Sequence, residues 1–576
     1  KYWFDFVFFH TKFGKKFRNC VDLVHDFSLK VIEKRKNEIL EERAKNGNQT
    51  RTQAEDTIFL GSKRKKVAFI DLLINNHIDG LKADGSSDFS LADVCEEVDT
   101  FMFEGFETTA VAISWTLHLL GNDERAQNKA YEEIRVIRIW LKIRKIPYVY
   151  EESNFLLGHF KLFLSKPPNV DIQDYVNIKI KELMPRYRDK KLIVVRLFCF
   201  PYTAVTNADA IEAVLSNTKI LKKSPEYRYF ETWIGTGLLT SAPEKWKGRR
   251  KMLTPTFHFR ILQDFLKVMN EHSMTLVDII KQNDGKVMNL FEYIPLTTLD
   301  TICETAMGVC VDAQRNPKSD YVNAIVLLNS GIFKRFYDFP SWLDVIFYHT
   351  KLGKEFKKSV ALVHKFSLNV IEKRKKDLIE DRRKGVYVTT SDETIFLGSK
   401  KRKVAFIDLL IHNHIDTMKD DGTSSFTLKD ICEEVDTFMF EGFETTAAAV
   451  AWTLHLIGCH EKVQRKAYEE ICELFADDVD RFVVEEDLQK LRYIECCIKE
   501  GLRLYPSVPL FARRTTEDVN ICGFDVPKDV TILIYPMALH RDPNIFSEPN
   551  RFKPERFFEE NFNRNPFAFV PFSAGP

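Results

Sequence analysis

Residues 441–446 read Glu-Gly-Phe-Glu-Thr-Thr, two carboxylates and two hydroxyls around a glycine, inside a long apolar stretch. A buried helix ordinarily carries Ala or Leu there. Gly costs up to about 1 kcal/mol in a helix interior, and a Thr hydroxyl tends to bond the carbonyl one turn back and bend the helix. Such a defect opens a groove where a ligand can approach the backbone at Glu441 and Gly442, while Glu444 and Thr445 supply a proton path. A helix–helix contact using Gly and Thr as small residues fits the spacing as well, and spacing alone leaves both readings open.

Two further groups have chemical interest. Glu500 and Arg503 lie three apart on one helix face, with Arg556 in the Pro-Glu-Arg-Phe stretch at 554–557. Buried charges need partners, so a Glu500, Arg503 and Arg556 network is a plausible structural device. Trp246 and Arg250 are one helical turn apart, so an anion could lie across the indole N–H and the guanidinium. Lys247, Arg249 and Lys251 then fall on other faces and read as solvated. The basic runs at 63–66 and 400–403 suggest solvated loops rather than targeting signals.

These residues need a framework that is mainly α with a small β portion. Residues 359–376 place Val360, Val363, Phe366, Leu368 and Val370 against charged positions, an amphipathic helix. Thr427 is the N-cap of a helix running some thirty residues to about Gly458, apolar around much of its circumference and therefore central and buried. Residues 530–535 form a β-branched run bounded by Pro527 and Pro536. No run approaches the roughly 20 apolar residues of a spanning helix.

The chain has 576 residues, a length that by itself suggests three or four domains. An internal repeat changes that count. Residues 95–109 are identical to 432–446, and flanking similarity, at an offset of 339 and then 337, runs to Ile134 and Ile471. Residues 1–134 thus hold the middle of what 135–576 holds nearly whole, a partial tandem duplicate. Lys plus Arg number 84 against 83 for Asp plus Glu, which gives no reason to expect nucleic acid as a partner. Eleven cysteines without a Cys-x-x-Cys pair suit a reducing compartment.

Taken in order, the motifs of 135–576 resemble the cytochrome P-450 superfamily, and within it family 4. Residues 434–446 look like its oxygen-activating helix, with Phe443 where His is usual and Glu444 for Asp. Glu500, Arg503 and Arg556 resemble its Glu-Arg-Arg network. Residues 237–259 resemble the region whose Trp and Arg, here Trp246 and Arg250, hold haem propionates, and Arg513 falls at another propionate contact. Phe572 and Gly575 match the opening of the haem-binding loop.

The resemblance implies a single large domain of the cytochrome P-450 fold over 135–576. It also implies a haem b (iron protoporphyrin IX) cofactor and a monooxygenase that inserts one oxygen atom from O2 into an apolar substrate such as a fatty acid, hydrocarbon, hormone or xenobiotic. Electrons would come from NADPH through NADPH-cytochrome P-450 reductase, with cytochrome b5 as a further donor, at the cytosolic face of the endoplasmic reticulum membrane. Thr445 and Glu444 would relay protons, and Glu441 matches the position that esterifies a haem methyl in some members. The axial Cys would be the third residue beyond Pro576, so no iron ligand is assigned within 1–576. The expectation drawn from that is weak haem binding by this stretch, with a catalytically dead, haem-less remnant or gene fusion as the alternative. Residues 1–134 are expected to form no second active site.

Overall fold

A computed structural model describes residues 5–46, 68–82, 86–151, 153, 157–165, 167, 169–198, 200–257, 259–383, 406–419, 424–476, 478, 481–558 and 564–575. The basic runs at 63–66 and 400–403 lie outside them, as do His258 and Pro576. The chain divides into two compact units, Lys1–Ile134 and Arg135–Pro576.

In the first unit, helices α1 (Lys12–Asn46), α2 (Phe69–Asp79) and α3 (Leu91–Asn122) enclose a small core of Ile32, Ile39, Ile74, Val94 and Cys95. Polar contacts fix the helices. Arg35 grips Asp71 through Nε (2.7 Å) and Nη2 (3.1 Å), and the His77 ring nitrogen Nδ1 bonds the Phe89 carbonyl at 2.7 Å.

The second unit carries the sheet and the larger helical layer. Strands β1 (Leu192–Leu197) and β2 (Phe200–Val205) pair antiparallel, followed by α4 (Ala208–Leu215) and the short β3 (Lys222–Lys223). Helices α5 (Arg228–Ile234), α6 (Pro243–Leu253), α7 (Leu290–Ile302), α8 (Asp320–Tyr337), α9 (Lys351–Arg383), α10 (Phe406–Asp416), α11 (Leu428–Gly458) and α12 (Arg492–Leu504) follow. Strands β4 (Phe511–Arg514), β5 (Val519–Ile521), β6 (Phe524–Val526) and β7 (Thr531–Ile534) come last. The main sheet has the order β1-β2-β7-β4-β3, with β2 and β7 parallel and the other pairs antiparallel. The separate β5–β6 hairpin turns through Cys522 and Gly523, both at positive φ (51° and 89°), the geometry a two-residue hairpin loop needs.

The contacts of the first unit recur here. Arg374 grips Asp408 through two nitrogens, and the His414 Nδ1 bonds the Phe426 carbonyl at 2.6 Å. The two units differ along the long apolar helix. Phe440 of α11 is 8% exposed, whereas the matching Phe103 of α3 is 70% exposed. In the second unit α7 and α9 pack on α11, and residues 1–134 contain no counterpart of α7.

Candidate functional site

Helix α11 begins where the sequence places it. Thr427 accepts from the Asp430 amide (3.2 Å), and Asp430 accepts in turn from the Thr427 amide (2.9 Å), a capping box that satisfies two otherwise orphaned donors. Halfway along, Gly442 faces α7. A Cβ on Gly442 would stand 2.7 Å from Ile302 Cδ1, so the missing side chain admits the neighbouring helix. The open groove expected beside Gly442 is therefore filled by Ile302, and of the two sequence readings the helix contact describes this face. Three hydroxyls engage the carbonyls around it. Thr445 donates to Glu441 O, Thr298 of α7 donates to Phe443 O (3.0 Å), and Ser507 donates to Thr445 O (2.7 Å). The Thr-to-backbone bond expected at this defect is present.

The loop between α5 and α6 lies on the first turns of α11. A Cβ on Gly237 would be 2.7 Å from the Glu433 carbonyl, so only glycine allows that approach. The Leu238 amide donates to Glu434 Oε2 at 3.0 Å. Burial pushes the Glu434 carboxyl up to about 7, opposed by that amide and by Arg249. Arg249 departs from the sequence reading. Instead of facing solvent it is buried, ion-paired with Asp430, and its guanidinium lies 4.3 Å from the Phe426 ring centroid. The cause is tertiary: α6 turns this face toward α11, whose first turn carries the acids.

A second group of cations gathers around Arg250, the next residue of α6. The β3–β4 register sets Lys223 directly opposite Arg513, like charges that repel when paired across strands. Neither makes an ion pair with a carboxylate among the described residues. Burial drives the Lys223 ammonium down to about 7, and neighbouring Arg513 adds to that shift. Burial likewise lowers Arg513. Glu441 is raised by burial and pulled back by Lys223 and Arg250. Lys223 and Arg250 both act on Glu441, and Arg513 lies beside Lys223, so three basic groups surround one carboxylate. The set lacks two negative charges, which the two propionate carboxylates of a haem would supply. The donor set at this position fits that cofactor, and Trp246, a helical turn from Arg250, adds an indole on the same helix.

Burial raises the Glu444 carboxyl, offset by a hydrogen bond from Asn329 of α8. It thus lies toward α8, while the Thr445 hydroxyl turns to the backbone of its own helix. A carboxyl held in this way keeps a proton nearer to neutral pH than an exposed glutamate does.

Glu500, Arg503 and Arg556 come together. Arg503 donates to both oxygens of Glu500 (2.7 and 2.8 Å) and to the carbonyls of His540 (2.8 Å), Pro549 (2.7 Å) and Arg551 (3.1 Å). Arg556 Nε reaches Glu500 Oε1 at 3.2 Å, and the Lys553 amide adds a bond at 2.9 Å. His540 extends this network: its Nε2 accepts from the Val570 amide at 2.9 Å, and burial drives its pKa down to about 3, so it is neutral. The loop that follows departs from expectation. Phe572 is 78% exposed, because the Pro571–Ser573 turn, with Ser573 at φ 63°, directs its ring outward. The nearest neighbour to a Cβ on Gly575 is the Leu215 carbonyl of α4, at 3.9 Å. The structure does not bring these two residues to the cation cluster.

Sequence reasoning missed Lys223, Arg249, Glu434 and His540. Lys223 stands in a two-lysine run that reads as solvated until β3 pairs it with Arg513. Arg249 differs from its neighbours in nothing local. Glu434, inside an acidic pair on an otherwise apolar helix, was the one with a usable signal, since a charge there needs a partner.

A family model described as "Cytochrome P450" matches residues 1–146 and 172–576. The chain is 44% identical over 443 residues to the protein named "Cytochrome P450 4V2" of Homo sapiens, covering 76% of this chain and 81% of that one. It is 44% identical over 382 residues to "Cytochrome P450 4c3" of Drosophila melanogaster, covering 65% and 70%. Among solved structures, "Crystal structure of cytochrome P450DA heme domain" superposes with a TM-score of 0.60 at 19% identity, over 75% of this chain and 86% of that one, a likeness of fold.

Proposed function

The chain belongs to the cytochrome P450 family of haem monooxygenases, and from that premise we propose that residues 135–576 form a family-4 enzyme that hydroxylates fatty acids or similar apolar hydrocarbons. Its cofactor is haem b. Electrons come from NADPH through NADPH-cytochrome P-450 reductase, with cytochrome b5 as a second donor, at the endoplasmic reticulum membrane. Among the described residues no helix is long and apolar enough to cross a membrane, so attachment there is argued from the family alone. When bound, the haem supplies dioxygen activation for insertion of one oxygen atom into a C–H bond.

The protein's own residues do the rest. Lys223, Arg250 and Arg513 would hold the two propionate carboxylates, with Trp246 as a further donor. A dianion there would restore charge balance and favour the ammonium form of Lys223. Glu444, raised by burial, keeps its proton to higher pH than an exposed glutamate, and the Thr445 hydroxyl is the next polar group along α11. Ile302 against Gly442 closes one side of the helix to water. The Glu500–Arg503–Arg556 network acts through packing, fixing α12 to the 540–557 segment. Residues 1–134 are a partial copy that contains no counterpart of the β3–β4 cation pair or of α6, and form no second active site.

The unbalanced cation cluster carries this reading. Hemin titrated into the purified chain should bind weakly, and Arg513→Glu with Lys223→Glu should lower that affinity at least tenfold. Parent affinity in the double variant would refute it.

A further inference from the structure

We propose that His25, Cys95 and Asp99 of the first unit form a binding site for a zinc-class divalent cation, with a fourth position open to solvent. Cys95 and Asp99 are one turn apart on α3, and His25 faces them from α1. Their donor atoms, one nitrogen, one sulfur and one oxygen, all lie within 4.8 Å of one another. Nδ1 of His25 is 2.6 Å from Asp99 Oδ2, and Cys95 Sγ is 3.8 Å from the same oxygen. Zn–S and Zn–N or Zn–O bonds of about 2.3 and 2.0–2.1 Å at tetrahedral angles place ligand atoms about 3.3–3.6 Å apart. The sulfur–oxygen separation is already close to that, and the nitrogen–oxygen pair has to open by under about 1 Å, within the reach of side-chain rotation.

The second unit supplies an internal control, because it holds the same three residue types at matched positions in another arrangement. There His364 Nε2 bonds the Trp233 carbonyl at 2.7 Å and stands 3.4 Å from Asp436, while Cys432 Sγ is 3.4 Å from Asp436. The imidazole is committed to helix α5. Residues 1–134 contain no counterpart of Trp233, so His25 turns its ring nitrogen onto Asp99 instead, with its side chain 48% exposed. Ser28 donates to the other oxygen of Asp99 at 2.5 Å and orients the carboxylate, a support that metal-ligating carboxylates usually have.

The donor set selects the ion. Thiolate and imidazole together favour Zn2+ over Mg2+ or Ca2+, which take oxygen ligands. Binding requires the thiolate, so the Cys95 S–H proton leaves as the metal–sulfur bond forms. A metal joining α1 to α3 would also crosslink a unit whose buried core is small.

The test uses the full chain, stripped with chelator, and Co2+ as a spectroscopic probe followed by Zn2+ competition. Parent protein and the control Cys432→Ser should show a sulfur-to-cobalt charge-transfer band in the near ultraviolet, with one proton released per metal. Cys95→Ser should abolish the band, and His25→Gln should weaken Zn2+ at least tenfold. His25 is half-exposed, so its variant reports on the site even if Cys95→Ser disturbs the core. Absence of a cobalt–thiolate band in the parent, or its survival at full strength in Cys95→Ser, would overturn the proposal, as would unchanged Zn2+ affinity in His25→Gln.

Discussion

Replacing Glu500 by Gln should damage the second unit more than any other single change in its buried ionic network. Glu500 and Arg503 are fully buried and Arg556 is 5% exposed. The substitution removes the one carboxylate shared by both guanidinium groups, leaving two buried cations without an anion. Breaking a buried pair on one side costs about 3–5 kcal/mol, a large fraction of the roughly 5–15 kcal/mol of a typical domain. Arg556→Met, by contrast, leaves the bidentate Arg503–Glu500 pair and the Lys553 amide in place. It removes the 3.2 Å contact to Glu500 and the donor to the Glu548 carbonyl, about 1–3 kcal/mol. Both variants would be compared with the parent by urea unfolding followed through the helical circular dichroism signal. At a slope of about 3 kcal/mol/M, the difference of about 2 kcal/mol between the two losses separates the midpoints by about 0.7 M. An Arg556→Met midpoint as low as that of Glu500→Gln would refute the reasoning, because Arg503 would then not be the dominant partner.

Glu434 adds a pH dependence. Its folded pKa is about 7 against an ordinary 4.5, so the folded state binds the extra proton between those values. The stability it contributes is full below about pH 4.5 and is lost as pH rises through about 7. Glu434→Gln should flatten that part of a midpoint-versus-pH curve, and an unchanged slope would count against it. His540 runs in the opposite sense. With a folded pKa near 3 it loses stability as pH falls below about 6.5, so His540→Gln should unfold at lower pH than the parent in an acid titration. Gly237→Ala should cost about 1–3 kcal/mol, read as a lowered urea midpoint, since its Cβ would press on the Glu433 carbonyl, which cannot swing aside. Deleting residues 1–134 should leave haem uptake by the remainder within twofold of the full chain, measured by hemin titration.

Some features of this protein were fully determined by local sequence. The start of α11 is one: Thr427 and Asp430 cap each other whatever surrounds them, and the apolar run to Gly458 supplies a helix that must be buried. The spacings of Glu500 with Arg503 and of Trp246 with Arg250 are others, because helical geometry puts residues three or four apart on one face. The contacts Arg35–Asp71 and Arg374–Asp408 join matching residues of the two units, 36 and 34 positions apart, so the pairing survives the two-residue difference in the intervening loop.

Tertiary packing decided the rest. Whether Gly442 bordered a groove or a neighbouring helix depended on where α7 passed, and Ile302 occupies that space. Arg249 and Arg250 are adjacent and chemically alike, yet α6 buries the first against acids and turns the second toward Glu441. Lys223 owes its depressed pKa first to burial and then to Arg513, which the β3–β4 register sets beside it from nearly 300 residues away in the chain. Phe572 faces solvent because of a local turn that its motif does not specify. His25 and His364 stand in near-identical sequence and bond to different partners, one to a carboxylate and the other to a backbone carbonyl. The identity of a charged or polar residue is written in the chain, but its electrostatic state is set by which groups share its low-dielectric surroundings, and those are assembled from segments far apart in sequence.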